Sequence, residues 1–238
     1  MAKITSAVQL VSGLLYSGCF QVPWHQRYYD WEVQQVRDLL HDLKDALDSK
    51  KSCYFLGSIM LLKATDAEPQ RINDGQQRLI TLSLLMAAFC RRFAKKPNQD
   101  SAREMLALRA LFDRPSHVTS RLADTSKYDI RIQPPKDDKS NYTLLLRGHG
   151  IGTNGSLTAA WNAIDDFVEA MSQQTRKDFF DFLMEKVEIS VLVIPKDVDA
   201  NLVFEALNAR GKPLNDVDLI RNRLYSYFPE SDDPDSGK

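Results

Sequence analysis

Six consecutive residues carry the densest chemistry in the chain: Asn73-Asp74-Gly75-Gln76-Gln77-Arg78, followed at once by the apolar run Leu79-Ile80-Thr81-Leu82-Ser83-Leu84-Leu85-Met86. An acid, a glycine, two amides and a guanidinium open what reads as a strongly apolar helix over Leu79 to Phe93. The residues before them, Tyr54 to Leu62, read as a buried strand, with Arg71-Ile72 as the return arm of a hairpin. Strand, polar turn and helix N-terminus together suit an anion, because the first backbone N–H groups of a helix have no intrahelical acceptor and the helix dipole is positive there. Arg78 offers a planar, permanently charged donor for phosphate or carboxylate. Asp74 could hold a metal ion, orient a water or cap the helix. Gln76 and Gln77 supply donors and acceptors. From the pattern alone, anion binding and simple capping of a solvent-facing first turn stand as equal readings.

Two further clusters accompany this block. Pro23-Trp24-His25-Gln26-Arg27-Tyr28-Tyr29-Asp30-Trp31 interleaves aromatic and polar side chains. Arg27 could take a phosphate and Trp24, Tyr28 or Trp31 could stack on a base. The favoured reading gives the aromatics to packing at a helix entry and Gln26 and Arg27 to function. The third cluster runs from Phe204 through Asn208, Arg210, Gly211, Lys212 and Leu214 to Asp218-Leu219-Ile220-Arg221-Asn222. Helix termination and recapping account for Gly211, Asn215 and Asp218. They leave Asn208, Arg210, Lys212, Arg221 and Asn222 to line a polar cleft.

The elements that must position these clusters follow from apolar periodicity. Ala7 to Leu15 reads as a short helix and Phe20 to Pro23 as extended chain at a sheet edge or strand end. Trp31 to Leu47 reads as an amphipathic helix with Val36, Leu39, Leu40, Leu43 and Leu47 on one stripe. Ala102 to Phe112, Leu157 to Met171, Arg176 to Val187 and Ala200 to Asn208 read as further helices, and Ile189 to Ile194 as a β-branched strand ended by Pro195. The stretch from Arg114 to Gly155 carries no clear period, and its Gly148-His149-Gly150-Ile151-Gly152 lacks the lysine and serine of a Walker loop. The basic residues Arg91, Arg92, Lys95 and Lys96 read as a favourable helix ending in preference to a DNA patch.

Composition sets the outer limits. The 238 residues are 43% hydrophobic and 26% charged, with a net charge of −1, so no overall basic field advertises nucleic acid. Three separated cysteines, Cys19, Cys53 and Cys90, have no zinc-site spacing and read as reduced, buried apolar side chains. No signal peptide and no membrane-spanning run is visible, which points to the cytoplasm. Residues 229–238 read as a polar tail or linker.

The three clusters in this order resemble the N-terminal domain family of GmrSD-type modification-dependent restriction systems and SspE-like phage-defence proteins. The resemblance rests on Pro23 with Gln26-Arg27, on Phe55-Leu56-Gly57, on Asp74 to Arg78, and on Phe204 through Asn222. It implies an α+β fold with a small ParB/sulfiredoxin-like strand-containing N-terminal part, residues 1–100, and a large helical extension, 101–228, closing the cleft. It implies a nucleoside triphosphatase with Mg2+ as cofactor, GTP among its nucleotides, and no base chosen by the residues themselves. Asp74, Gln76, Gln77 and Arg78 would be catalytic, with Asp74 also the metal ligand. Gln26, Arg27, Gly75, Asn208 and Arg221 would bind the nucleotide. The expected partners are DNA, chemically modified in a phage-defence setting, and an HNH-type nuclease domain in cis or trans. No such nuclease motif follows Asn222, and oligomeric state is left open. The competing expectation is a DNA-binding or nuclease-regulating module without catalysis.

Overall fold

The computed structural model describes residues 3–24, 26–63, 68–94, 97–113, 129–148 and 155–208, with the backbone alone at 97–99, 201 and 206–208. Among the described residues, six strands form one mixed sheet. They are β1 (Thr5–Leu10), β2 (Phe20–Gln21), β3 (Tyr54–Leu62), β4 (Gln70–Asp74), β5 (Ile132–Gln133) and β6 (Val187–Ile194), in the spatial order β1-β6-β3-β4-β2-β5. β6 runs antiparallel to β1 and parallel to β3, and β3 forms the expected antiparallel hairpin with β4. β2 is parallel to both its neighbours. The architecture is α+β.

The boundary expected near residue 100 does not divide this sheet. β6, from the far end of the chain, lies between β1 and β3, and β5 closes the opposite edge. The reason lies in composition: Val187, Ile189 and Val191 alternate as buried residues along β6, which suits a central strand. The helix expected over Ala7 to Leu15 is likewise replaced by β1 and a shorter helix, α1 (Val11–Ser17). Thr5 to Leu10 pairs residue by residue with β6, and that ladder overrides weak local helix propensity. β2 is flanked on both sides, so Pro23 marks a strand end and not a sheet edge.

Helices pack against β1, β5 and β6 of the sheet. α2 (Val33–Asp48) starts at a capping box in which the Glu32 backbone N–H donates to the Gln35 side chain at 2.9 Å. Val36, Leu40, Leu43 and Ala46 form its buried stripe. α3 (Gln76–Ala94) is the central helix, buried nearly all round, and packs against α4 (Pro97–Leu111), α5 (Lys136–Leu146) and α6 (Ser156–Ala170). α7 (Gln173–Glu185) is capped by Ser172, whose hydroxyl accepts the Thr175 N–H at 3.1 Å, and leads into β6. α8 (Ala200–Asn208) follows. One continuous hydrophobic core runs from Val11 to Val191. β5 and α5 fall in the stretch that showed no sequence period. No described helix is long and apolar enough to cross a membrane.

The basic end of α3 is structural. Arg92 is 8% exposed and pairs with Asp165 at 3.0 Å and with Glu169, both on α6. Arg91 lies over the Trp161 ring, 5.2 Å from its centroid. Lys95 and Lys96 lie outside the described residues. Of the cysteines only Cys90 is buried. Cys53 is exposed and Cys19 intermediate, because both sit at element ends outside the packed helices.

Candidate functional site

The Asp74 to Arg78 block is the junction between the last residue of β4 and the first turn of α3. Gly75 makes the junction possible. Its φ is +90°, and a Cβ there would stand 2.5 Å from Ile59 Cγ2 on the neighbouring strand. Only glycine fits both the left-handed backbone and the close approach. The Leu79 N–H donates to the Gly75 carbonyl at 3.1 Å as the first helical bond, so the N–H groups of Gln76, Gln77 and Arg78 precede the intrahelical ladder. The capping role open to Asp74 is not the one it takes: its carboxylate accepts the N–H of the adjacent Gly75.

The two glutamines, expected on a solvent-facing turn in the bland reading, are 6% and 5% exposed. Gln77 is committed at both ends of its amide. Its Nε2 donates to the Tyr28 carbonyl at 2.9 Å and its Oε1 accepts the Asp30 N–H at 3.1 Å. It therefore clasps the 28–30 segment to the start of α3, a positioning role that takes one donor and one acceptor of its amide. The Gln76 amide has no hydrogen-bond partner among the described residues. Gln76 is therefore the less committed of the two amides at this turn.

Gln26 and Arg27 arrive at the same turn. Gln26 Nε2 donates to the Asn73 carbonyl at 3.3 Å. Arg27 pairs with Asp30 at 3.0 Å, each side chain 49% exposed. A pair this exposed is worth about 0–1 kcal/mol, so Arg27 can turn to another anion at little cost. The segment is held from beneath as well. The Tyr29 hydroxyl shares a 2.8 Å bond with Thr81, and the Tyr29 N–H donates to Asp138 on α5 at 2.8 Å. Burial raises the pKa of both the Tyr29 phenol and the Asp138 carboxyl.

Arg78 is held from a third direction. Its Nη1 donates to the Ser58 carbonyl at 2.7 Å. A Cβ on Gly57, where φ is +113°, would come within 3.3 Å of three guanidinium atoms. The guanidinium thus lies against the bare backbone of β3, where the β3–β6 register shifts between Phe55 and Ser58. Tyr54, bonded to Asp42 of α2, also acts on it. Burial lowers the Arg78 pKa, with Asp74 and Tyr54 opposing. Burial raises the Asp74 pKa, with the Gly75 N–H and the charges of Arg78 and Arg27 opposing. Desolvation thus works against the charged form of each group, and the opposite charge beside it works in favour.

Asp74, Gly75, Gln76, Gln77, Arg78, Gln26 and Arg27 are therefore brought together around one helix N-terminus. The Asn208 side chain, Arg221 and the rest of the third cluster beyond α8 lie outside the described residues, as do His25 and the glycine-rich run from His149 to Gly152. Sequence reasoning gave no role to Thr81 or Asp138, gave Tyr29 only packing at a helix entry, and named Gly57 only within the Phe55-Leu56-Gly57 motif. A glycine inside a strand pattern signals a bulge or close backbone approach, so Gly57 was within reach of it. Asp138 carries no comparable signal.

Among the described residues, no three His, Cys, Asp or Glu side chains converge as a metal centre. Asp74 fits Mg2+ as one carboxylate ligand completed by phosphate and water oxygens, which is how that ion is commonly held. Comparison with protein-family models matches residues 9–225 to the family described as GmrSD restriction endonuclease, N-terminal domain. No curated protein matches the chain.

Proposed function

The chain belongs to the GmrSD restriction endonuclease N-terminal domain family, and from that premise we propose that it is the nucleotide-binding and hydrolysing sensor module of a modification-dependent restriction system. The observation that carries the proposal is the closure of the Gln26-Arg27 segment onto the first turn of α3. That closure sets two guanidiniums, a desolvated carboxylate and an unpartnered amide around free helix N–H groups.

A triphosphate seated there would take the N–H groups of Gln76, Gln77 and Arg78. Gly75 supplies the left-handed turn from β4 into the helix that carries those N–H groups. Arg78 and Arg27 neutralise charge on the transferring phosphoryl group, the dominant lever in phosphoryl transfer. The Gln76 amide is available to orient the attacking water, while Gln77 holds the segment that carries Arg27. Asp74 would hold Mg2+, which when bound neutralises phosphate charge. Burial raises the Asp74 pKa while Gly75, Arg78 and Arg27 oppose it, and an incoming cation would favour the ionised form further. Hydrolysis would couple recognition of modified DNA to a nuclease domain in cis or trans.

The test is phosphate release from the four NTPs with Mg2+, with and without modified DNA. Asp74→Ala and Arg78→Ala are each expected to abolish turnover with the fold retained by circular dichroism. Undiminished turnover in both would remove this turn from the chemistry. Steep salt dependence of DNA binding with no turnover under any condition would favour the non-catalytic DNA-binding module instead.

A further inference from the structure

The most exposed Phe, Tyr and Trp side chains among the described residues are Phe55 at 55%, Tyr28 at 51% and Trp24 at 43%, and all three border the same site. Trp24 and Tyr28 flank Gln26 and Arg27 in one loop. Phe55 lies two residues before Gly57 on β3, and register puts it on the sheet face shared by Ser58 and Asp74. Packing at the helix entry, the role expected of the loop aromatics, falls to Tyr29 and the half-buried Trp31. It does not account for Trp24 and Tyr28.

Of the three, Tyr28 is tied most directly to the phosphate turn. Its carbonyl accepts from Gln77 Nε2, and the next residue is fixed by Thr81 and Asp138. The ring is therefore presented to solvent from an immobilised backbone, with Arg27 beside it. A tyrosine so held offers a stacking surface at small entropic cost, and every nucleobase has a π-face to place on it. We infer that Tyr28 is the base-stacking residue of this site, a specificity-determining contact distinct from the groups that hold the phosphates. The inference rests on the nucleotide reading above and deepens it: the ligand is a nucleoside triphosphate recognised at both ends, not a bare polyphosphate.

The experiment compares wild type, Tyr28→Ala, Tyr28→Phe and Tyr28→Trp on the four NTPs and on inorganic triphosphate, each with Mg2+. Tyr28→Ala is expected to raise KM for the NTPs by roughly 10-fold or more, a typical loss for one base–aromatic stack. It should leave kcat, and the KM for inorganic triphosphate, unchanged. Phe and Trp should restore the wild-type KM, since they keep the ring. An unchanged NTP KM in Tyr28→Ala would overturn the inference while leaving the phosphate site intact. Equal losses on NTP and inorganic triphosphate would overturn it too, by making Tyr28 a support of the turn. Loss of single-stranded DNA binding with NTP kinetics unchanged would assign the ring to DNA. A wild-type protein that takes neither NTP nor inorganic triphosphate would sink the site reading and this inference with it.

Discussion

Gly57→Ala isolates the support of Arg78 without touching any group that would meet a ligand. The new Cβ would stand 3.3 Å from Cζ and both terminal nitrogens of the guanidinium, so the guanidinium must shift by a few tenths of an ångström. The backbone at +113° is strained for any L side chain, which costs about 1–3 kcal/mol. Losing the 2.7 Å bond to the Ser58 carbonyl adds about 1 kcal/mol, the lower range being apt for a group partly open to solvent. A total of about 2–4 kcal/mol corresponds to a fall in Tm of roughly 4–15 °C for a chain of this size. Turnover should fall further than stability alone explains, though by less than the roughly 100-fold that a full ångström of misplacement costs, because the guanidinium shifts by only a few tenths. Differential scanning calorimetry and phosphate release at a temperature where the variant stays folded give the two readings. Gly13→Ala in α1 is the control: its Cβ would meet only Gln9 Oε1, at 3.8 Å, and it should be neutral or stabilising by about 0.5–1 kcal/mol. Full turnover in folded Gly57→Ala would refute the claim that Arg78 works from its place against β3.

Three other substitutions separate the layers of the site. Asp74→Asn should abolish turnover yet raise Tm at neutral pH: the folded pKa lies above the ordinary 3.8, so the native state binds the extra proton and stability falls as pH rises through that window. The two proteins should converge in Tm below that ordinary value, and a variant less stable than wild type at neutral pH would contradict the burial argument. Gln77→Ala leaves the Tyr28 carbonyl and the Asp30 N–H without their partner, and urea denaturation should show a loss of about 2–4 kcal/mol together with a raised KM. Arg92→Leu breaks the pairs with Asp165 and Glu169 and should cost about 3 kcal/mol, the low end for a buried cation whose partners reach solvent. Its kcat should not change, and a selective loss of DNA binding would return that helix end to function.

How far the sequence carried the account depends on which interactions are local. The β3–β4 hairpin, α2, α6 and the helix after Gly75 were legible because apolar periodicity and turn chemistry are written in adjacent residues. β1 was misread as helix because its stabilising partner, β6, is encoded almost 200 residues away, and no local preference in Thr5 to Leu10 announces that pairing. The same long-range pairing brings strands from both sides of residue 100 into one sheet. At the site, Asp74, Gly75 and Arg78 were legible as residue types suited to phosphate, and the proximity of Gln26-Arg27 followed only from the family resemblance. The division of labour between the glutamines was not legible. Gln76 and Gln77 are neighbours of identical chemistry, and only the path of the 28–30 segment distinguishes the committed amide from the uncommitted one.

The most direct measurement is amide hydrogen exchange with and without a non-hydrolysable nucleoside triphosphate and Mg2+. The account predicts new protection concentrated at the N–H groups of Gln76, Gln77 and Arg78 and in the 26–30 segment, lost in Arg78→Ala. Bound nucleotide with protection elsewhere, and none at the first turn of α3, would contradict it.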